Sequence, residues 1–256
     1  MRLAIVSDIH GNLPALEAVL ADIARRGTDL TVNCGDLLSG PLWPSETADR
    51  LMALNLPTIA GNHERQLLAC ARRPGGASDH YAFEHTTAAQ RAWLAALPAR
   101  LTPLPGVLMV HGRPDSDLDY LLDTVDAAEP AGVRAATPAE VRQRLQGIDA
   151  ELVVCGHSHH PRVMQVPGGP LAVNAGSVGL QAYDDDLAGL HWIRNGSPHA
   201  RYARCERKAD GGWQVELIAV NYDWSTAAAQ ARRNGALDWA EWLQTGWAEA
   251  PIDPAL

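Results

Sequence analysis

Cysteine is scarce in this chain of 256 residues. The four that occur are Cys34, Cys70, Cys155 and Cys205, and no two of them have the spacing of a zinc-binding pair. Four cysteines in a chain of this length are also too few for a disulfide-stabilised scaffold. Cys34 and Cys155 each end an apolar run, where a reduced thiol is usually a small core residue. We therefore predict that all four thiols are free and structural.

The sequence also lacks a long apolar run and an excess of positive charge. No stretch reaches the ~18 consecutive apolar residues that a membrane-spanning helix needs, and no leader pattern precedes the first predicted strand. The formal net charge is −9, which argues against general affinity for nucleic acid or for anionic membranes. Small phosphorylated substrates stay compatible with this charge because a bound metal would offset it locally. We predict a cytoplasmic protein that binds neither membranes nor specific nucleic acids, and the sequence leaves its oligomeric state open.

Short apolar runs alternate with helical patterns along the first 60 residues. The runs at 3–6, 29–34 and 56–60 predict strands, and the patterns at 13–26 and 44–54 predict helices. This repeat is typical of an α/β fold whose strands run parallel. With 46% hydrophobic residues and no repeat or linker, the chain is long enough to bury one full core. We predict a single domain over residues 1–250.

The remaining elements follow from the same patterns. Residues 65–105 lack strand periodicity and predict a helical excursion over the sheet, and residues 115–136 predict an acidic surface loop with a short helix. The capping box that starts at Thr137 predicts another helix. Further strands are predicted at 106–110, 151–155, 162–166, 170–174, 189–194, 200–206 and 213–220, followed by C-terminal helices over 225–246 and a loose end from Pro251.

Polar side chains that can bind metal follow five of the predicted strands. They are Asp8 and His10, Asp36, Asn62 and His63, His111, and His157 and His159. In an open α/β sheet, ligands bind outside the carboxyl ends of the strands. Asp8 and His10 lie two residues apart, so an extended backbone would direct both side chains to the same side. Each residue alone has another explanation, such as a turn or a helix cap. Recurrence at five strand ends favours a site for two divalent ions, with Asp36 able to bridge them.

These blocks resemble those of a known family. Asp8-Ile-His-Gly-Asn12, Cys34-Gly-Asp36, Gly61-Asn-His-Glu64, Val110-His-Gly112 and Gly156-His-Ser-His159 occur in the order found in the calcineurin-like metallophosphoesterases. The loop Asn174–Gly179 is similar to that of the small bacterial phosphodiesterase branch, although Ala175 stands where proline is more usual. The resemblance covers residues 3 to about 246. It implies an α/β fold built as a four-layer α/β/β/α sandwich, with two facing mixed sheets.

The resemblance also implies a role for each residue. Asp8, His10 and His159 would hold one metal, Asn62, His111 and His157 the other, and Asp36 would bridge. A hydroxide between the ions would attack phosphorus, and His63 would act as general acid without binding metal. The mixed nitrogen and oxygen ligands suit transition metals, with Mn preferred and Fe, Zn, Co or Ni compatible.

The predicted function is metal-dependent hydrolysis of small-molecule phosphodiesters, extending to monoesters. Arg113 follows His111-Gly112 and is a candidate to bind the substrate phosphate through its planar guanidinium, although a surface arginine fits the pattern equally well. A protein phosphatase and a nucleotide pyrophosphatase are alternatives that use the same site. A non-catalytic protein-binding scaffold is a further alternative, but such a protein should have lost ligands, and this sequence keeps all of them.

Overall fold

The computed structural model describes residues 1–249 as alternating helices and strands. Its helices are α1 (Leu13–Arg26), α2 (Pro44–Leu54), α3 (Asn62–Ala69), α4 (Ala77–Glu84), α5 (Ala88–Ala95), α6 (Pro138–Arg144), α7 (Trp224–Arg233) and α8 (Leu237–Thr245). Among these residues, no helix has the length and apolar character to cross a bilayer. The predicted domain limit at residue 250 and the predicted loose end from Pro251 lie outside the described residues.

Most of the strands form two mixed sheets. The strands are β1 (Arg2–Val6), β2 (Leu30–Asn33), β3 (Arg100–Leu104), β4 (Val107–Val110), β5 (Asp123–Val125), β6 (Val133–Ala135), β7 (Leu152–Cys155), β8 (Arg162–Gln165), β9 (Leu171–Asn174), β10 (Ala182–Asp185), β11 (His191–Arg194), β12 (Ala200–Arg207) and β13 (Trp213–Val220). The first sheet has the order β13-β12-β1-β2, and only β1 and β2 run parallel in it. The second has the order β3-β4-β7-β9-β8, with β4, β7 and β9 parallel.

Three hydrophobic cores separate four layers. Alternate residues of a strand face opposite sides of its sheet. Leu3 and Ile5 of β1 therefore pack with Leu152 and Val154 of β7 in a core between the two sheets. The other side of the first sheet packs on α1, α2, α7 and α8, and the other side of the second sheet packs on α6. This arrangement confirms the predicted four-layer α/β/β/α sandwich.

Helix α1 shows how local sequence sets the path away from the first strand. The side chain of Asn12 accepts a hydrogen bond from the backbone N–H of Ala15 (3.2 Å), which satisfies a free donor of the first turn. Leu16 and Ile23 lie on the buried face, and the helix ends at Gly27, whose N–H donates to the carbonyl of Ile23. The predicted helix is confirmed with its cap.

The predicted strand at 56–60 is wrong, because only one bridge forms there, between Asn33 and Thr58. The carbonyl of Pro57 accepts from Asn33, but proline has no N–H to extend the ladder. The N–H of Ala60 donates to the carbonyl of Pro98 and so turns away from β2.

Three further segments differ from the sequence prediction. The helical excursion ends earlier than predicted, because residues 100–104 form β3 and turn at Gly106 (φ +76°) into β4. Residues 115–136 contain the hairpin of β5 and β6, and no helix occurs there. Residues 182–185 form β10, a strand that the sequence did not predict, which pairs with β11.

Candidate metal centre

The candidate ligands lie where the chain leaves the strands in an unusual conformation. Among residues 1–249, seven residues other than glycine have positive φ, and five of them are predicted ligands. They are Asp8 (φ 56°), His10 (51°), Asp36 (56°), His157 (68°) and His159 (55°). Left-handed backbone costs about 1–3 kcal/mol for such a residue and is concentrated at functional sites. The extended backbone predicted from Asp8 to His10 is therefore wrong; tight turns, not strand geometry, direct these side chains.

The turns bring the side chains into two buried clusters. The first contains Asp8, His10 and His159, and the second contains Asp36, His111 and His157, with one ligand atom of each residue within 4.8 Å of the others. Asn62 belongs to the second group, because its Oδ1 lies 3.0 Å from His111 Nε2. The structure thus brings all seven predicted metal-binding residues together in the two groups that the resemblance implies.

Each of the four histidines uses one ring nitrogen to contact a backbone carbonyl. A carbonyl only accepts, so that nitrogen carries the proton and the other nitrogen presents a lone pair to the cluster when the ring is neutral. Metal-binding histidines are commonly oriented in this way. The pairs are His10 Nδ1 with Ser39 O (2.8 Å), His111 Nδ1 with Cys34 O (2.7 Å), His159 Nδ1 with Leu180 O (2.7 Å) and His157 Nε2 with Leu118 O (2.9 Å).

The electron-rich atoms that result fit a cation between them. His10 Nε2 lies 3.1 Å from His159 Nε2, and His159 Nε2 lies 3.4 Å from Asp8 Oδ1. Neutral imidazoles at this distance would repel each other unless a positive charge lies among them. Nitrogen and carboxylate ligands suit first-row divalent ions. The residues present therefore fit first-row divalent metal ions.

The protonation pattern of the metal-free site is also consistent with metal binding. Burial and the electrostatic influence of His159 and His63 lower the pKa of His10 to about 3, and burial and His111 lower that of His157 to about 4. Burial opposes ionisation of Asp36, but His111 and His63 hold its pKa well below its usual range. For His111, burial is outweighed by the charge and hydrogen bond of Asp36, which raise its pKa to about 10. A metal ion has to displace the proton of His111.

His63 lies outside both clusters and is held at two points. Its backbone N–H donates to Asp36 Oδ1 (3.0 Å), and its Nδ1 lies 2.7 Å from Asp79 Oδ1. Nε2 is therefore the nitrogen left to face a substrate. Burial lowers the pKa of His63, but Asp36 and Asp79 outweigh it and raise the pKa to about 9. Sequence reasoning missed Asp79, because nothing in the polar stretch 72–80 marks one residue as a partner of His63.

Glu64 ties the two turns of the second cluster together. Its carboxylate accepts from the backbone N–H groups of Asp36 (2.9 Å), Leu37 (2.8 Å) and Gly61 (2.7 Å). The side chain is buried and cannot reach solvent. Glu64 was visible in the sequence as the end of the Gly-Asn-His-Glu block, but its role becomes apparent only when the turns are placed side by side.

Asp123 supports the loop that carries His157 and His159. Its carboxylate is fully buried and accepts from Ser158 Oγ (2.7 Å), His160 Nδ1 (3.1 Å) and Arg162 Nη2 (2.8 Å). Charge-assisted hydrogen bonds of this kind fix a loop strongly. This contact also came from a segment, 115–136, that the sequence predicted only as a surface loop.

One cavity of about 450 Å³ opens onto both clusters. The predicted residues that line it are His10, Asp36, Asn62, His63, His157 and His159. Arg113 does not line this cavity; its guanidinium pairs with Asp115 (2.9 Å) and Asp119 (3.7 Å). The structure therefore gives no support to Arg113 as a phosphate contact. The acidic residues of β10 and the following turn do line the cavity, together with Trp239 and Trp242 of α8, none of which sequence reasoning assigned to the site.

Comparisons with known proteins agree with this arrangement. The family model of the calcineurin-like phosphoesterase superfamily domain matches residues 1–192. An uncharacterized protein from Methanocaldococcus jannaschii is 26% identical over 251 residues, covering 93% of this chain and 94% of its own. The structure of a metallophosphoesterase from Sphaerobacter thermophilus is 25% identical with a TM-score of 0.72, covering 96% of this chain and 100% of its own.

A further solved structure shares the fold at lower identity. It is that of a candidate diadenosine tetraphosphatase, 20% identical with a TM-score of 0.51, and the match covers 86% of this chain and 94% of that one. The family match over three quarters of the sequence includes every residue of the two clusters. The chain therefore belongs to the calcineurin-like phosphoesterase superfamily.

Proposed function

We propose that this protein hydrolyses small-molecule phosphodiesters, and also monoesters, with two divalent metal ions. The observation that carries the proposal is the pair of buried clusters, each able to hold a metal, that open into one cavity beside His63. Asp8, His10 and His159 would hold one ion, Asn62, His111 and His157 the other, and Asp36 would contact both. We favour Mn, and the ligands also suit Fe, Zn, Co or Ni.

The residues around the clusters support hydrolysis of an ester. Bound ions would supply Lewis acidity toward the phosphoryl oxygens and lower the pKa of a water molecule. His63 holds a proton that its raised pKa keeps in place at neutral pH, and its Nε2 is free to donate it to a leaving oxygen. Asp79 fixes the ring and stabilises its positive charge.

The complete set of ligands weighs against a non-catalytic scaffold. A protein that used this fold only for binding would have no need to keep His63, Asp79 and both clusters. The net charge of −9 also makes polynucleotides poor substrates, because the phosphate backbone needs many Lys and Arg contacts. The four free cysteines, three of them buried, support our assignment to the cytoplasm.

Reconstitution with metal tests this proposal. The purified protein is stripped with a chelator and reloaded with Mn, and metal content and hydrolysis of bis(p-nitrophenyl) phosphate are measured together. We expect two ions per chain and activity only after reloading. Asp36→Asn removes the charge between the clusters and should abolish both the binding of two ions and the activity. Asp149→Asn, on the surface, should change neither metal content nor activity. Activity of Asp36→Asn within about tenfold of the original chain would contradict a bridging role, since two-metal catalysis depends on both ions.

A further inference from the structure

One wall of the cavity comes from outside the part of the chain that the family model matches. That match ends at residue 192, whereas Trp239 and Trp242 lie on α8. The ring of Trp239 meets the ring of His10 edge-on, with centroids 5.9 Å apart and planes at 77°. The indole also lies against Gly40, where an added Cβ would come within 2.9 Å of it. Trp239 is thus fixed directly beside a candidate metal ligand.

Helix α8 holds both indoles as a rigid surface. The adjacent face of the helix is anchored in the core through Ala240 and Leu243, which are fully buried and pack with the buried face of α7. Residues three apart on a helix lie on the same side. Both tryptophans are half-buried and line the cavity, so they contribute apolar aromatic surface to it.

The cavity also has an acidic wall, formed by β10 and the turn that follows it. Asp184, Asp185 and Asp186 line the cavity, and within residues 1–249 none of them forms an ion pair. Their carboxylates repel a second phosphate on a substrate, while they can accept hydrogen bonds from hydroxyl and amino groups.

We propose that one ester group of the substrate bears a planar aromatic ring system of nucleobase size, and that the substrate has no phosphate besides the scissile diester. This proposal rests on the phosphodiesterase function above. The aromatic group stacks on Trp239 and Trp242, and the phosphodiester lies at the two clusters. A cavity of about 450 Å³ falls within the range that holds a nucleotide-sized ligand. The geometry therefore assigns selection of the substrate to α8 and the chemistry to the turns that carry the two clusters.

Two esters that differ only in the base test the aromatic wall. They are the methyl ester of adenosine 5′-monophosphate and the methyl ester of ribose 5-phosphate. Trp239→Ala and Trp242→Ala should each lower kcat/KM for the adenine ester by about tenfold, within the range for loss of one stacking partner, and leave the ribose ester almost unchanged. Trp239→Phe should retain most of the preference. Trp247→Ala is the matched control, because Trp247 packs under Arg194 and does not line the cavity.

A binding measurement separates this inference from the proposed function. Calorimetry on the Mn-loaded protein should show that Trp239→Ala weakens binding of adenosine 5′-monophosphate but not of ribose 5-phosphate. If neither ester is hydrolysed while this difference persists, the proposed function fails and the aromatic wall stands. The inference would be overturned if the tryptophan variants lost kcat/KM equally on both esters or on neither. It would also be overturned if the protein preferred a choline phosphodiester to the adenine ester.

The acidic wall is tested by adding a phosphate. The protein should bind adenosine 5′-monophosphate more tightly than adenosine 5′-diphosphate, and Asp184→Asn combined with Asp186→Asn should reduce that ratio. A ratio that favours the diphosphate in the unmodified chain, or that does not respond to the double variant, would contradict exclusion of a second phosphate.

Discussion

At the scale of single residues, His63 and the candidate metal ligands beside it have different roles. The backbone of His63 contacts Asp36, while its ring contacts Asp79 and meets the ring of His10 edge-on, so the side chain lies beside the clusters without belonging to either. Adjacent residues in one turn therefore serve different ends: Asn62 faces His111, and His63 faces the cavity.

Replacing His63 should affect the leaving group and not the metals. A positioned general acid contributes about 10²–10⁴-fold, and only where the leaving oxygen needs a proton. His63→Ala should therefore keep two ions, lose activity on alkyl phosphodiesters by that factor, and lose clearly less on a nitrophenyl diester. Steady-state kinetics with both substrates and metal analysis measure this, with the exposed His80→Ala as control. Loss of metal from His63→Ala would make it a ligand and contradict its assignment.

Asp79 should set the pH range in which His63 can act as an acid. The raised pKa keeps His63 protonated below about 9, so activity should fall as the pH rises through the pKa of the metal-loaded site. Bound cations lower that value by repulsion, and the comparison is therefore made between variants carrying the same metal. Asp79→Asn removes the charge that favours the imidazolium and should move the basic limb of the pH–rate profile to lower pH. If the basic limb of the pH–rate profile does not move in Asp79→Asn, Asp79 does not control the pKa of His63.

At the scale of elements, the sequence predicted those parts that depend on local pattern. The periodicity of Leu16 and Ile23, the cap at Asn12 and the apolar runs of β1 and β7 each act within a few residues, and all were confirmed. The strand at 56–60 failed because pairing depends on a partner distant in sequence, and Pro57 limits it to one bridge.

The same distinction applies to the site. Its seven candidate ligands were recognisable because each follows an apolar run in a short block. Asp79, Asp123 and Trp239 were not, because each reaches the site from a segment whose position depends on tertiary packing. The left-handed turns at Asp8 and His10 were also not predicted, because strand periodicity carries no information on the first residues beyond the strand.

Gly61 should be essential to the turn between the sheet and α3. Its backbone is extended (φ −95°), so alanine meets no backbone strain there, but its Cβ would overlap Asp36 Oδ1 and lie 2.8 Å from His111 Cε1. Gly61→Ala should weaken metal binding by about 10–100-fold, the usual effect of disturbing groups that orient ligands. Titration with Mn measures the affinity, and Gly212→Ala, in a surface turn, is the control. Equal affinity in Gly61→Ala and the unmodified chain would contradict this steric account.

At the scale of the whole molecule, the metal-free protein should be most stable near pH 6.5, the usual pKa of histidine in the unfolded chain. His10 and His157 have lowered pKa values, because the folded state favours their neutral form. Their contribution to the free energy of unfolding is therefore lost as the pH falls below 6.5 toward about 3 and 4. His63 and His111 have raised values, so their contribution is lost as the pH rises through about 9 and 10. Each proton difference changes the free energy of unfolding by about 1.4 kcal/mol per pH unit.

Urea unfolding with chelator and with Mn, repeated across pH, checks this expectation. Mn at 100 times its Kd should add about 2.7 kcal/mol for each ion bound, because it binds only the folded state. The addition should grow with pH, since the ion has to displace the proton of His111. A metal-free stability that does not change across the interval between these pKa values would contradict the protonation pattern of the site.

Anomalous diffraction from crystals grown with Mn tests whether Asp36 joins two metal ions in one site. We expect two anomalous peaks per chain, roughly 3.5–4 Å apart as in other two-metal hydrolytic sites, with the Asp36 carboxylate in contact with both. One peak should lie among Asp8, His10 and His159, and the other among Asn62, His111 and His157. A single ion, or two ions with Asp36 bound to neither or to only one, would contradict it.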